Sequence, residues 1–291
     1  MGMNDRACLT PDPVVHPAHF RVPAGAWDTH IHAIGPVERF ALAALRSYTP
    51  AQVPIDAYVP LMDRLGIAHA VLVQPSVYGS DNRAMLDALS RYPARFRGVA
   101  VVDPAIDDRA LRTLDAAGVR GVRANLLNPG GLSLADACAL AGRLAALGWH
   151  LQLQIDASTF DGFDALETLP VAVVIDHMGY LPADLGPSNA GFRRLLQLVA
   201  SGRCWVKLSA PYRLVDWQRR GYGAVAPFAQ ALVRANPQRV LWGSDWPHTD
   251  LRSAMPNDGD LLDLLGAWVG DEAIRNAILV DNPASLYGGR F

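Results

Sequence analysis

The sequence predicts an α/β fold, a (β/α)8 TIM barrel in a single domain, preceded by an irregular N-terminal extension. Short apolar runs alternate eight times with helical patterns along the 291 residues. Such continuous apolar runs are typical of parallel strands that are buried on both faces of a sheet. No glycine-rich dinucleotide fingerprint or P-loop follows any of these runs, so a barrel is favoured over a doubly wound sheet.

The first 25 residues differ in character from the rest of the chain. Four prolines interrupt regular structure there: Pro11, Pro13, Pro17 and Pro23. We therefore predict two regions, an irregular extension over residues 1–25 and the barrel over residues 26–291.

The eight predicted strands begin directly after this extension. They cover residues 26–32, 70–74, 98–102, 121–124, 151–154, 171–176, 204–207 and 240–243. The predicted helices cover residues 55–65, 82–91, 109–117, 134–147, 163–169, 192–200, 222–235, 261–269 and 272–279. A long connection, residues 33–54, follows the first strand, and connections of this length in a compact domain are usually functional or disordered. We expect this one to be functional.

Composition narrows the class of protein. The net charge of −2 argues against a nucleic-acid-binding protein, although a few local arginines suffice for small anionic substrates. Cys8, Cys138 and Cys204 are widely separated and form no CxxC pattern, which fits a reducing compartment. No apolar run has membrane-spanning length, and the start of the chain lacks the apolar core of a signal peptide. We expect a cytoplasmic protein with no nucleic-acid or membrane partner, and its oligomeric state stays open.

The first strand ends in the segment Asp28-Thr-His-Ile-His32. Because alternate side chains of a strand point the same way, we expect Asp28, His30 and His32 to share one face. Two imidazoles aimed at one point can hold a metal ion or polarise a carbonyl group. The alternative is a pair of hydrogen-bonded structural histidines, and the spacing of the pair favours the functional interpretation.

Further polar residues follow the other predicted strands, where the active sites of such barrels lie. They are Ser76, Tyr78, Asp103, Arg123, Asn125, Gln154, Asp156, His177, Lys207, Ser209, Tyr212, Arg213, Asp245 and His248. By itself, Asp245 is either a structural cap or a general base. Because three histidines face it across the mouth of the barrel, we favour the general base.

Three motifs carry a resemblance to a known family. They are Asp28-Thr-His-Ile-His32, Asp176-His-Met-Gly179 and Gly243-Ser-Asp-Trp-Pro-His248. Together they resemble the amidohydrolase superfamily, in the amidohydrolase-2 branch of small lactonases and decarboxylases. Tyr48-Thr-Pro50, Gln74-Pro-Ser-Val-Tyr-Gly79 and Arg95-Phe-Arg-Gly98 are most similar to the lactonases of 2-pyrone-4,6-dicarboxylate, which act in aromatic catabolism.

This resemblance implies lactone hydrolysis. Asp245 would activate water, while His30, His32 and His177 would polarise the carbonyl group. The residues expected around the substrate and its carboxylates are Tyr48, Ser76, Tyr78, Arg123, Arg213 and His248. For His248 the alternative is a structural cap of the last strand loop.

The chain also departs from the family pattern. The loops after Arg123 and His177 contain no further arginine, whereas the dicarboxylate lactonases have several in the pocket. Fewer guanidinium groups mean fewer bidentate carboxylate contacts, so another lactone with one acidic group is plausible.

Gln154 occupies the position where a two-metal amidohydrolase has a bridging ligand, so we expect no binuclear site. The lactonases that the sequence resembles work without metal, and we favour a metal-independent reaction. One zinc or manganese ion, held by His30, His32, His177 and Asp245, is the alternative. Two rival functions stay open: a metal-dependent decarboxylase of an aromatic or unsaturated acid on the same barrel, and a barrel that binds a ligand without turnover.

Overall fold

A barrel of eight parallel strands forms the centre of the computed structural model, which describes residues 8–128, 131–252 and 254–288. The strands are β1 (Ala26–Ile31), β2 (Ile67–Val73), β3 (Phe96–Ala100), β4 (Val119–Asn125), β5 (His150–Gln154), β6 (Ala172–Ile175), β7 (Cys204–Leu208) and β8 (Val240–Trp242). Each strand pairs in parallel with the next one along the chain. The predicted (β/α)8 barrel is confirmed.

Helices connect the strands around the outside. They are α1 (Tyr58–Leu65), α2 (Arg83–Arg91), α3 (Asp108–Ala116), α4 (Leu134–Ala146), α5 (Phe163–Glu167), α6 (Ala190–Ala200), α7 (Trp217–Arg220), α8 (Ala226–Ala235), α9 (Asp258–Trp268), α10 (Glu272–Asn276) and α11 (Asn282–Tyr287). The predicted helix 222–235 begins only at Ala226, because Pro227 occupies its first turn, where proline is favoured. A π-helical turn, Ala277–Asp281, joins α10 to α11.

The amino-terminal end of the barrel interior is filled with apolar side chains. Trp27, Val71, Val99 and Trp205 pack there with Tyr287 of α11. The rings of Trp27 and Tyr287 stack with their centroids 6.2 Å apart. Because this end of the barrel is filled, a cavity for a functional site can form only at the carboxyl ends of the strands.

The first and last strands meet along a seam made of hydrogen bonds between β1 and the segment that follows β8. The His32 N–H donates to the Trp246 carbonyl (2.8 Å), and the Asp245 N–H donates to the His30 carbonyl (2.9 Å). The Thr29 hydroxyl adds a bond to the Trp242 carbonyl (2.7 Å). The seam therefore fixes the backbone of Asp245 beside the backbone of the two β1 histidines.

Residues 8–25 of the predicted extension contain no helix or strand and lie against α9. His16 pairs with Asp260 (2.8 Å), and His19 pairs with Asp263. Residues 1–7 of the predicted extension and the last three residues of the predicted barrel region lie outside the described residues. Within the described ranges, no helix combines the length and the apolar character needed to cross a bilayer.

Candidate active site

Four side chains converge at the carboxyl end of the barrel. Oδ1 of Asp245 lies 3.3 Å from His32 Nε2, 3.5 Å from His30 Nε2 and 3.8 Å from His177 Nε2. Each of these residues is at most 3% exposed. The structure thus brings together the four residues that the sequence singled out as catalytic.

The Asp245 carboxylate is anchored through only one of its oxygens. Oδ2 accepts hydrogen bonds from the Tyr212 hydroxyl (2.7 Å) and from Arg213 Nε (3.0 Å) and Nη2 (2.8 Å). Oδ1 has no hydrogen-bond partner among the described residues. Burial opposes ionisation, but the charge of Arg213 outweighs it and holds the pKa of Asp245 well below its usual range. The carboxylate is therefore charged, with one oxygen free for chemistry.

The partners of His32 and His30 determine which ring nitrogen carries the proton. His32 Nδ1 lies 2.7 Å from the Val73 carbonyl, which can only accept. His30 Nδ1 lies 3.2 Å from a carboxylate oxygen of Asp176, which also accepts. Burial lowers the pKa of His30 well below its usual range, so the ring is neutral. A neutral imidazole protonated at Nδ1 presents a lone pair at Nε2, so His30 directs a lone pair at Asp245 Oδ1. His32 holds its Nε2 3.3 Å from the same oxygen.

His177 has more freedom. Its Nδ1 lies 2.8 Å from the Ser209 hydroxyl, which can donate or accept. Burial lowers the pKa of His177 to about 4, so this ring is neutral near neutral pH. When the hydroxyl donates to Nδ1, the proton of the ring is on Nε2, facing the cavity.

The converging nitrogen and oxygen atoms have the ligand chemistry of a metal site. A tetrahedral zinc ion with bonds of about 2.0–2.1 Å separates its ligand atoms by about 3.3 Å. The three distances to Asp245 Oδ1 are 3.3, 3.5 and 3.8 Å. His30, His32 and Asp245 also form a compact group of buried ligand atoms. Two imidazole nitrogens and one carboxylate oxygen therefore fit one divalent cation. His177 Nε2, 3.8 Å from Asp245 Oδ1, is a further ligand atom only when the proton of its ring is on Nδ1.

A cavity of about 280 Å³ opens above these atoms. Four of the residues predicted to bind the substrate line it: Tyr48, Ser76, Arg123 and Arg213. Tyr48 belongs to the long segment 33–54, which therefore contributes to the site. Residues missing from the predicted set also line the cavity: Asn125, Leu127, Asn128, Gln154, Asp156, Tyr180, Thr249 and Asp250. Asn125 and Gln154 are the last residues of β4 and β5, and Asp156 lies just beyond β5; that position was the signal that could have included them.

Tyr78 and His248, which the sequence predicts to bind the substrate, are not among the residues that line this cavity. Tyr78 closes a short 3-10 turn after β2, and its hydroxyl accepts a hydrogen bond from the Gly35 N–H (3.1 Å). His248 lies behind Asp245, where its ring nitrogens contact the Tyr212 hydroxyl (3.0 Å) and Asp258 (3.1 Å). In both cases a tight loop turns the side chain into the protein.

Asp28 does not join the histidines, because the register of β1 shifts between Asp28 and Ile31. Its carboxylate accepts hydrogen bonds from the Tyr58 hydroxyl (2.7 Å) and from the backbone of His30 and Ser244 (3.0 Å each). The expectation that Asp28 shares the histidine face is therefore wrong. It braces β1 against the loop that carries Asp245.

Arg123 is the more deeply buried of the two cavity arginines. Its Nε donates to Asp176 (3.3 Å), Nη1 to the Gln74 carbonyl (3.2 Å) and Nη2 to Gln154 Oε1. A guanidinium has five N–H groups. Two of them therefore remain for a ligand in the cavity that Arg123 lines.

Comparisons with known proteins agree with this geometry. The family model described as amidohydrolase matches residues 27–289. The chain is 38% identical over 283 residues to a 2-pyrone-4,6-dicarboxylate hydrolase of Comamonas testosteroni, covering 92% of each chain. It is 37% identical over 288 residues to a 4-sulfomuconolactone hydrolase of Rhizobium radiobacter, covering 97% of this chain and 96% of the relative.

Among solved structures, an Agrobacterium tumefaciens protein in its ligand-free form matches with a TM-score of 0.83 and 28% identity, covering 91% of this chain and 96% of that one. The family match spans nearly all of the barrel, including the histidines of β1 and the aspartate that follows β8. The chain therefore belongs to the amidohydrolase family.

Proposed function

We propose that the protein is a hydrolase that opens a small lactone carrying one acidic group. The environment of the Asp245 carboxylate carries the proposal. One of its oxygens is anchored, and the other lies free among three imidazoles. This oxygen is at the base of a cavity that two arginines line. The relatives named as lactone hydrolases support the same reaction class. Their names do not favour the rival decarboxylase.

The reaction follows from the anchored carboxylate. Asp245 Oδ1 takes a proton from a water molecule as the water oxygen bonds to the lactone carbonyl carbon. Tyr212 and Arg213 hold Oδ2, so the carboxylate cannot rotate away from the water. The tetrahedral intermediate then breaks the bond between the acyl carbon and the ring oxygen. The proton on Asp245 passes to that oxygen, which gives a hydroxy acid and restores the carboxylate.

The developing oxyanion needs an electropositive partner. Neutral His30 offers only a lone pair at Nε2, whereas His177 can donate from Nε2 when Ser209 donates to its Nδ1. One divalent ion such as zinc or manganese, held by His30, His32, His177 and Asp245, would polarise the carbonyl and lower the pKa of bound water. The compact group of ligand atoms from His30, His32 and Asp245 supports a mononuclear metal site over the metal-independent reaction that the resemblance implies.

The charges in the cavity support a substrate with a single acidic group. Arg213 is held by Asp245 (2.8 Å), whereas Arg123 contacts Asp176 at the longer distance of 3.3 Å and keeps two N–H groups for one acidic group. The amide of Asn125 uses its oxygen to accept two backbone N–H groups, and that of Asn128 uses its oxygen to accept the Ser47 hydroxyl. Among the described residues, their NH₂ groups have no hydrogen-bond acceptor and are available to neutral oxygens of the substrate.

A panel of lactones tests the proposal. Neutral, monoanionic and dianionic lactones are offered to metal-free protein and to protein loaded with zinc or manganese, and the acid released on ring opening is followed with a pH indicator. We expect the highest kcat/KM for monoanionic lactones and none for Asp245→Asn. The proposal is wrong if no lactone opens in any metal state, or if carbon dioxide is released from unsaturated acids instead.

A further inference from the structure

Two buried charged side chains lie beneath the reactive centre and take no part in the proposed reaction. Asp176, which follows β6, and Lys207, in β7, are both 0% exposed. Neither lines the cavity. Burying a carboxylate and an ammonium group is costly unless their hydrogen bonds are well made, so their partners indicate what they do.

The two oxygens of Asp176 serve different partners. Oδ1 accepts from Gln152 Nε2 (2.8 Å) and lies 3.2 Å from His30 Nδ1. Oδ2 accepts from Arg123 Nε (3.3 Å). One carboxylate therefore touches both an imidazole of the reactive centre and an arginine of the cavity wall.

Lys207 supports the position of Asp176 through its own hydrogen bonds. Its Nζ donates to the Thr29 carbonyl (2.8 Å) and to Gln152 Oε1 (2.8 Å), and it lies 3.7 Å from Asp176 Oδ1. Since Lys207 binds the oxygen of the Gln152 amide, the NH₂ group of that amide must face Asp176. The lysine thus orients the donor that positions the carboxylate.

His30 Nδ1 has a donor and an acceptor within reach, and the surrounding bonds decide between them. Lys207 Nζ lies 3.3 Å from Nδ1, and two of its three N–H groups go to acceptors at 2.8 Å. For the third N–H, the charged Oδ1 of Asp176 (3.7 Å) is a stronger acceptor than the nitrogen of a neutral imidazole. The Asp176 carboxylate can only accept, and it is closer to Nδ1 at 3.2 Å. The proton of His30 therefore lies on Nδ1, and its Nε2 lone pair faces the reactive centre.

We propose that Asp176 is a positioning residue, supported by Lys207, that fixes the tautomer of His30 and the orientation of Arg123 at the same time. It sets where the acidic group of a substrate lies relative to the reactive carbonyl. This second role rests on the proposed function, because it assigns Arg123 to the acidic group of a lactone. The role toward His30 does not depend on the identity of the substrate.

The substitution Asp176→Asn distinguishes these two positioning roles from a contribution to folding stability alone. The Asp176 carboxylate has two acceptor oxygens, one for Arg123 and one for His30 and Gln152. The amide of asparagine has only one acceptor oxygen, so it can serve only one of these two sides. If the amide oxygen faces His30, its NH₂ group opposes the Arg123 N–H. If it faces Arg123, the NH₂ group opposes His30 Nδ1 and favours a proton on Nε2. Either arrangement breaks one of the two links.

The first measurement needs no variant. In metal-free wild-type protein labelled with ¹⁵N at its eight histidines, long-range ¹H–¹⁵N spectra report the tautomer of each ring, and His30→Gln identifies the His30 signal. We expect the His30 proton on Nδ1. A proton on Nε2 overturns the proposal, whether or not any variant folds.

The variant then tests the consequences. For Asp176→Asn we expect either a changed His30 tautomer with zinc affinity about 10- to 100-fold weaker, or a KM that rises for acidic lactones and not for neutral ones. A variant that changes neither the tautomer, the zinc affinity nor the ratio of the KM values overturns the proposal. The spectra and zinc titrations need no lactone, so a failure of the proposed function is distinguishable from a failure here.

Arg97→Met is the matched control. Arg97 in β3 is also buried (3% exposed), and it donates to the Pro93 and Phe96 carbonyls. Removing it tests what the loss of a buried charge does to the barrel in general. We expect a lower melting temperature with the His30 tautomer and the zinc affinity unchanged.

Discussion

We expect His150 to make the barrel sensitive to acid, and His150→Leu should remove its share of that sensitivity. The ring is 1% exposed at the start of β5 and packs edge-on against Tyr287, with centroids 5.1 Å apart. Burial, with a smaller effect of the Lys207 ammonium, lowers its pKa from 6.5 to about 3. At about 1.4 kcal/mol per pKa unit, this difference corresponds to about 5 kcal/mol once the pH is below both values.

The sign follows from proton binding. The unfolded chain takes up a proton at His150 below about pH 6.5, while the folded protein resists it down to about pH 3. His150 therefore lowers the free energy of unfolding as the pH falls and has little effect above pH 7. Between pH 7.5 and 5.0 its contribution is about 2 kcal/mol.

The assay is denaturant unfolding of wild-type protein and His150→Leu at pH 7.5, 6.0 and 5.0. The difference between the two proteins at pH 7.5 includes any change in packing, so only its dependence on pH is diagnostic. We expect the variant to gain about 2 kcal/mol relative to wild type on going to pH 5.0. A difference that stays constant over this range refutes the reasoning.

His19 is the contrasting control, because it is exposed and its hydrogen bond with Asp263 raises its pKa. A raised pKa stabilises the folded state at low pH, and this contribution is lost as the pH rises through the folded value. His19→Gln should therefore change relative stability with pH in the opposite direction to His150→Leu.

The remaining predictions concern the site. Asp245→Asn should lower kcat by about 100- to 10,000-fold with an unchanged circular dichroism spectrum, and near-normal turnover would exclude Asp245 as the base. Arg123→Met should raise KM for acidic lactones more than for neutral ones, and an equal rise would show that Arg123 does not bind the acidic group. Dialysis against a chelator should abolish turnover and zinc or manganese should restore it, whereas full activity in verified metal-free protein would return the reaction to metal-independent chemistry. Tyr78→Phe should leave KM unchanged and lower the unfolding free energy by about 1 kcal/mol, through loss of the acceptor for the Gly35 N–H; a large rise in KM would return Tyr78 to the substrate.

The barrel and the centre of the site could be predicted because both follow from strand periodicity. Apolar runs located the strands, and the carboxyl ends of parallel strands must meet at one edge. That rule was enough to bring His30, His32, His177 and Asp245 together. It needed no knowledge of the loops.

The errors lie where the backbone departs from that periodicity. The register shift in β1 removes Asp28 from the histidine face, and no pattern of side chains signals it. The turn after β2 and the loop after β8 direct Tyr78 and His248 inward. Tyr212 was noted only as a residue beyond β7, and its role in anchoring Asp245 depends on a 3-10 turn, Pro211–Arg213, whose direction is set by tertiary packing.

The seam between β1 and the segment that follows β8 has a consequence for the order in which the protein folds. Asp28 and Ser244, which hydrogen-bond across it, are 216 residues apart in the chain. Contacts that close so long a loop form late, because the entropy of closure must be overcome before they contribute. During synthesis the histidines of β1 are made long before Asp245, so the site is complete only after the segment that follows β8 has folded. In refolding, turnover should therefore return later than the circular dichroism signal of the helices and together with closure of the barrel. Enzymatic activity then reports the rate of the final folding step.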